Sequence, residues 1–269
     1  MTMSSLIPFA LGLFAGGVLG LTGAGGAIIA VPLLIFGLGL PMVDAAPVAL
    51  LATAIGATTG ALLGFRDRIL RYKAAMVMAI AGLLLTPLGL WAAALIPNRP
   101  LLALFSLILF YVSITMYLRA NSAVTSEYEV EEGPPCLLDE TRGKLTWTLP
   151  CFRAMLVAGA ISGFLSGLLG VGGGFIIVPA LRKFTNLPMR SITTTSMGVI
   201  AIVSIGSVAG ATLEGTMSWT LGIPFATGAF AGLLTGRTLS HRLDHAILQR
   251  IFAVLAFVVA CAMLIKAAF

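Results

Sequence analysis

Apolar stretches run along this chain at about residues 6–22, 27–40, 45–65, 74–96 and 101–118, and again at 154–170, 174–181, 191–213, 219–236 and 247–265. A polar interval at about 120–150 separates the two groups. Most stretches approach the ~20 residues a helix needs to cross ~30 Å of hydrocarbon. Two do not. At ~1.5 Å per residue, 27–40 reaches only ~21 Å, and 174–181 is shorter still. Each short stretch contains a proline, Pro32 or Pro179, and each follows a cluster of glycines. The pattern predicts an all-α polytopic membrane protein in which two segments are broken or re-entrant.

The two short segments belong to an internal repeat. Gly12–Met42 aligns without a gap on Gly159–Met189, a shift of 147 residues, with 14 identities in 31 positions. These include Gly16/Gly163, Gly20/Gly167, Gly23/Gly170, Gly25/Gly172, Gly26/Gly173, Pro32/Pro179 and Pro41/Pro188. Three regions follow: a first transmembrane repeat at 1–120, a polar linker at 121–150, and a second repeat at 151–269. Each repeat has about five apolar segments, an odd number, so the second is expected to be inverted relative to the first. The architecture expected is eight full spans plus two glycine-broken or re-entrant hairpin segments.

Composition agrees. The chain is 59% hydrophobic and only 10% charged, with a mean hydropathy of +1.06. Soluble domains are about 25% charged, so secreted, disordered, collagenous and nucleic-acid-binding classes fall away. The net charge of +6 carries its information in position rather than in sum. One topology places fourteen of the 16 basic residues on the cytoplasmic side, in the loops near 66–73, 119–153, 182–190 and 237–250. Arg99 and Lys266 alone fall outside. The excess of cytoplasmic Lys and Arg sets orientation. The linker at 121–150 is therefore expected in the cytoplasm and both termini outside it, in the cell inner membrane. The N-terminal apolar run lacks a basic leader region and reads as a retained segment. Cys136, Cys151 and Cys261 show no CxxC spacing, so neither a disulfide framework nor a zinc site is expected.

Candidate chemistry lies in Gly20-Leu-Thr-Gly-Ala-Gly-Gly26 and Gly167-Leu-Leu-Gly-Val-Gly-Gly-Gly174. Clustered glycines permit positive φ and a broken helix. A broken helix exposes unpaired N–H groups and the positive dipole end of the helix that follows, which together bind anions. Glycines spaced i, i+4, i+8, such as Gly12, Gly16 and Gly20, are read instead as close helix packing. The candidate substrate-binding residues are Thr22, Gly23, Gly25, Gly26, Gly170, Gly172, Gly173 and Gly174, with the hydroxyls of Thr194, Thr195 and Ser196 at the start of the eighth segment. Replacing Gly173 with valine is expected to abolish transport while leaving the protein folded.

No charged residue lies mid-span, so a carboxylate proton relay is not supported. His241 and His245 lack the glutamate of a zinc-protease motif and read as structural. The acidic run Glu127–Glu132 reads as a solvated face of the linker. No nucleophile, metal cluster or paired acid appears within the spans, so an enzyme is disfavoured, and no cofactor is expected. The expected partners are a small anionic substrate and membrane lipid, not nucleic acid.

The motif Gly-Leu-x-Gly-x-Gly-Gly followed by a short helix ending Val-Pro-x-Leu occurs at Gly20–Leu34 and Gly167–Leu181. It resembles the TauE/SafE sulfite exporter family of membrane permeases, across the whole chain save 120–150. The resemblance implies transport of small sulfur-containing anions such as sulfite, or organosulfonates such as sulfoacetate. Thr195-Ser196 matches the Thr-Ser pair such proteins often carry after the second loop, whereas Val48-Ala49 departs from it in the first half. Because the cell interior is negative, anion export needs no coupling ion. The reading is a permease moving such anions outward, driven by membrane potential. An anion channel and a non-transporting membrane partner protein are the alternatives.

Overall fold

The computed structural model describes residues 3–22, 27–121, 136, 138–139, 144–145, 148–240 and 245–268. Gly23, Gly25 and Gly26, the side chain of Thr22, the acidic run Glu127–Glu132, and the side chains of His241 and His245 lie outside the described residues. The helices are α1 (Met3–Thr22), α2 (Ala27–Gly37), α3 (Met42–Arg66), α4 (Tyr72–Leu95), α5 (Asn98–Asn121), α6 (Leu149–Leu169), α7 (Gly174–Phe184), α8 (Met189–Leu213), α9 (Trp219–Ser240) and α10 (His245–Ala268). In the linker, the two-residue strands β1 (Leu138–Asp139) and β2 (Lys144–Leu145) pair antiparallel, an element the polar composition did not announce.

Six of these helices are long and apolar enough to cross a membrane among the described residues: α3, α4, α5, α6, α8 and α10. The described apolar part of α1, Ser5–Leu21, falls just short in length. Glycines, Thr220, Thr227, Thr235 and Arg237 dilute the apolar character of α9. Large apolar side chains such as Leu62, Leu84, Trp91, Ile205 and Ile251 stand exposed. A water-soluble chain would bury them; a lipid-facing surface carries them without cost.

Glycines set the helix pairing. α1 lies against α9 and α4 against α6, each pair running parallel. A Cβ on Gly12 would meet Phe225 and Ala229, and one on Gly20 would lie 2.5 Å from the carbonyl oxygen of Leu233. In the other pair, Gly159 meets Met78 and Gly167 meets Thr86. The contacts Gly12–Phe225 and Gly159–Met78 exchange under the same 147-residue shift that aligns the sequence, as do Gly20–Leu233 and Gly167–Thr86. α3 and α8 cross antiparallel at the centre, with Met197 on Gly60 and Thr194 on Gly64. α5 and α10 also run antiparallel: Ser113 donates to the Ala253 carbonyl at 2.7 Å, and the rings of Phe110 and Phe257 meet edge to face.

The two short helices end at opposite ends of the bundle. Near the end of α2, Lys266 donates to the Ile35 carbonyl at 3.2 Å. The start of α3 is at that end too, its Met42 N–H donating to Asn98 Oδ1 at 3.0 Å. α7 instead ends beside the start of α6. The N–H of Cys136 donates to the Phe184 carbonyl at 3.1 Å, and Cys136 is disulfide-bonded to Cys151 in the first turn of α6. α6 and α7 thus form a hairpin that enters and leaves at one end. At 11 residues, α7 is only ~16 Å long, about half the hydrocarbon thickness.

The disulfide corrects the expectation drawn from cysteine spacing. Spacing rules detect local motifs, and folding brings these two thiols to a Cα separation of 5.0 Å across 15 residues of chain. In the oxidised protein, Cys151→Ser is expected to lower stability by about 3 kcal/mol, the chain-entropy value for a loop of that length. Thermal melts with and without dithiothreitol check this. Reductant should lower the wild-type melting temperature and leave that of the variant unchanged.

Candidate functional site

The α6–α7 turn is built from backbone that side chains resist. Gly170, Gly172 and Gly173 have φ of 74°, 69° and 68°. Left-handed backbone of this kind is readily accessible only to glycine. Gly170 closes α6, its N–H donating to the Ser166 carbonyl at 2.9 Å. Gly173 caps α7, and its carbonyl accepts from the N–H groups of Ile176 and Ile177. The N–H groups of Val171, Gly172 and Gly173 meet no acceptor in hydrogen-bonding geometry among the described residues. They cluster where α7 presents roughly half a positive charge.

The surroundings of Gly172 fix the depth of the turn. A Cβ on Gly172 would lie 3.0 Å from Thr53 Cγ2, 3.1 Å from Ile200 Cγ2 and 3.3 Å from Ser204 Oγ. Thr53 and Ile200 occupy the middle of α3 and of α8, each 25 residues long. The turn therefore sits at the waist of the molecule, far from the ends of both helices. On its other side, the Ser162 hydroxyl donates to the Gly173 carbonyl at 3.1 Å. No charged side chain is among these neighbours. The arrangement can hold an anion through N–H groups, a helix dipole and hydroxyls, as P-loops and other helix termini do for phosphate.

The other candidate residues are placed elsewhere. Thr22 closes α1, and Gly174 opens α7. Thr194 donates to the Arg190 carbonyl at 2.8 Å, and its methyl faces Gly64. Thr195 accepts the Arg71 N–H at 3.1 Å, and Ser196 donates to the Thr193 carbonyl at 2.7 Å. Thr194 and Ser196 thus bond within α8, while Thr195 serves the junction between the α3–α4 loop and the start of α8, where Ser191 also donates to the Ile69 carbonyl. From Thr195 to Ser204 is nine residues of helix, or ~13.5 Å, so this junction and the turn are separate places.

Thr53, Ser162, Ser166 and Ser204 are the hydroxyl residues near the turn, and all four are buried. None of the four is among the candidate residues drawn from the sequence. Ser162 and Ser166 are spaced i, i+4 beside Gly163 and Gly167, a signal that belongs equally to helix packing. Nothing local ties Thr53 or Ser204 to the turn.

A family model described as "Sulfite exporter TauE/SafE" matches residues 8–263. A probable membrane transporter protein of Xylella fastidiosa (strain Temecula1 / ATCC 700964) is 29% identical over 97% of this chain and 95% of its own length. The probable membrane transporter protein YunE of Bacillus subtilis (strain 168) is 22% identical over 99% of this chain and 100% of its own length. No solved structure matches the chain.

Proposed function

The chain belongs to the sulfite exporter TauE/SafE family of membrane transporters, and from that premise we propose that it carries small sulfur-containing oxyanions, sulfite or an organosulfonate such as sulfoacetate, outward across the cytoplasmic membrane. The observation that carries this reading is the α6–α7 turn. It gathers N–H groups that meet no acceptor among the described residues, at a helix N-terminus and at the waist of α3 and α8, where the side chains nearest Gly170, Gly172 and Gly173 are uncharged. The substrate rests there in transit, held by Gly170, Gly172, Gly173 and Gly174. The first-half cluster at Gly23, Gly25 and Gly26 is the counterpart by sequence.

The transporter has two inverted repeats, with eight spans and two hairpins. Support comes from α2 and α7 ending at opposite ends and from contacts that exchange under one sequence shift. The basic loops orient the linker inward and both termini outward. That orientation puts the Cys136–Cys151 disulfide on the side where thiols are normally kept reduced, so its stabilising effect belongs to the oxidised protein.

Membrane potential supplies the driving force. Moving one charge through 100 mV is worth about 2.3 kcal/mol, which corresponds to a roughly fiftyfold gradient of a monovalent anion. The test is sulfite flux in proteoliposomes under a potassium diffusion potential. Flux should saturate with sulfite and reverse when the potential is reversed. Current that rises without saturation would replace a carrier by a channel. Absence of flux with sulfite, thiosulfate and sulfoacetate would remove the reading.

A further inference from the structure

Two buried hydroxyls near the turn, Ser166 Oγ and Ser204 Oγ, have no hydrogen-bond partner among the described residues. Other buried helix hydroxyls satisfy themselves on a carbonyl: Thr53 on Ala49, Thr86 on Gly82 and Ser207 on Val203. A buried polar atom left alone is costly and calls for an explanation. Ser204 Oγ lies 3.3 Å from the place where a Cβ of Gly172 would be. Ser166 is one turn beyond Ser162 on the same face of α6, and Ser162 touches Gly173.

We propose that Ser166 and Ser204 donate their hydroxyl hydrogens to the transported oxyanion and determine its specificity. The inference rests on the reading of the α6–α7 turn as the substrate site, and deepens it. Two O–H donors beside the N–H groups of the turn suit an anion with several acceptor oxygens better than a halide, which needs no such directional set. The 147-residue shift places Leu19 and Ala57 at the equivalent first-half positions. The hydroxyl donors therefore belong to the second half alone, and the oxyanion sits off the symmetric centre, toward α6 and α8.

The test is sulfite transport by Ser166→Ala and Ser204→Ala in proteoliposomes, with chloride as competitor and melting temperature measured alongside. Each variant is expected to raise KM for sulfite about tenfold to a hundredfold, the range for a lost hydrogen bond to a charged group. Chloride should compete better than in wild type. The melting temperature should hold or rise, because a buried unpaired hydroxyl has been removed. Ser207→Ala, on the same helix but already paired with Val203, should leave KM unchanged. Unchanged KM in both serine variants, with wild type active and Gly172→Ala folded but impaired, overturns this inference and leaves the site standing. A lowered melting temperature with unchanged KM makes the serines structural and overturns it equally. No sulfite transport by wild type removes the inference together with the reading beneath it.

Discussion

Gly173→Val is expected to reduce anion transport by more than about a hundredfold, the equivalent of roughly 2.7 kcal/mol. Two effects act together. The residue sits at φ 68°, where an L side chain costs about 1–2 kcal/mol, and β-branching raises the cost further. The new Cβ would also lie 2.7 Å from the Ser162 carbonyl oxygen and nearer still to its hydroxyl. The turn must open or rotate, which carries the N–H groups away from one another. The structure thereby revises the expectation that this variant leaves the fold untouched, because the same strain weakens the α6–α7 hairpin. Gly172→Ala separates the two effects. Its Cβ finds side-chain atoms at 3.0–3.3 Å, closer than ordinary contact, so Thr53, Ile200 and Ser204 must give by a few tenths of an ångström, against a far larger clash for Gly173. It should fold, melt a few degrees lower and still lose most of its transport. Full flux in both variants, measured per folded protein, would exclude the turn as the site.

The largest effect on folding is expected from Gly163→Leu. A Cβ there falls onto the backbone of Gly82, and the same holds for Gly16 on Ala229. Overpacking a side-chain core costs about 1–3 kcal/mol because neighbours can move. A helix backbone cannot yield locally, so α4 and α6 would have to separate along their whole contact. Little monodisperse protein should survive detergent extraction, as read by fluorescence-detected size exclusion. Gly215→Ala is the matched control. It has φ 72° with nothing within 4 Å of the Cβ position, so it carries only the conformational penalty of about 1–2 kcal/mol. A well-behaved Gly163→Leu peak would show that this helix contact is dispensable.

The glycine classes were legible in the sequence because their spacing follows helix geometry. Four-residue spacing marks one face of a helix, and the contacts of Gly12, Gly159 and Gly167 lie on such faces. Clustered glycines mark a broken helix, and Gly172 and Gly173 adopt left-handed backbone in the break. The doubled motif likewise pointed to the transporter family that the family model matches. Span counting was less secure, since hydropathy cannot distinguish a lipid-facing helix from one buried among its neighbours. α9, which packs tightly on α1, falls below the apolar character of a free span among the described residues.

By itself the sequence determined a helical membrane chain, its sequence repeat, the glycine break between α6 and α7 and its kinship, since each is written in local composition and periodicity. Only the tertiary structure decided that Thr195 braces a loop while Thr53, Ser162, Ser166 and Ser204 approach the turn. It alone joined Cys136 to Cys151. The physical reason is common to both: which hydroxyl meets which N–H, and which thiol meets which thiol, depends on the crossing of helices distant in the chain, and no local pattern records where two helices cross.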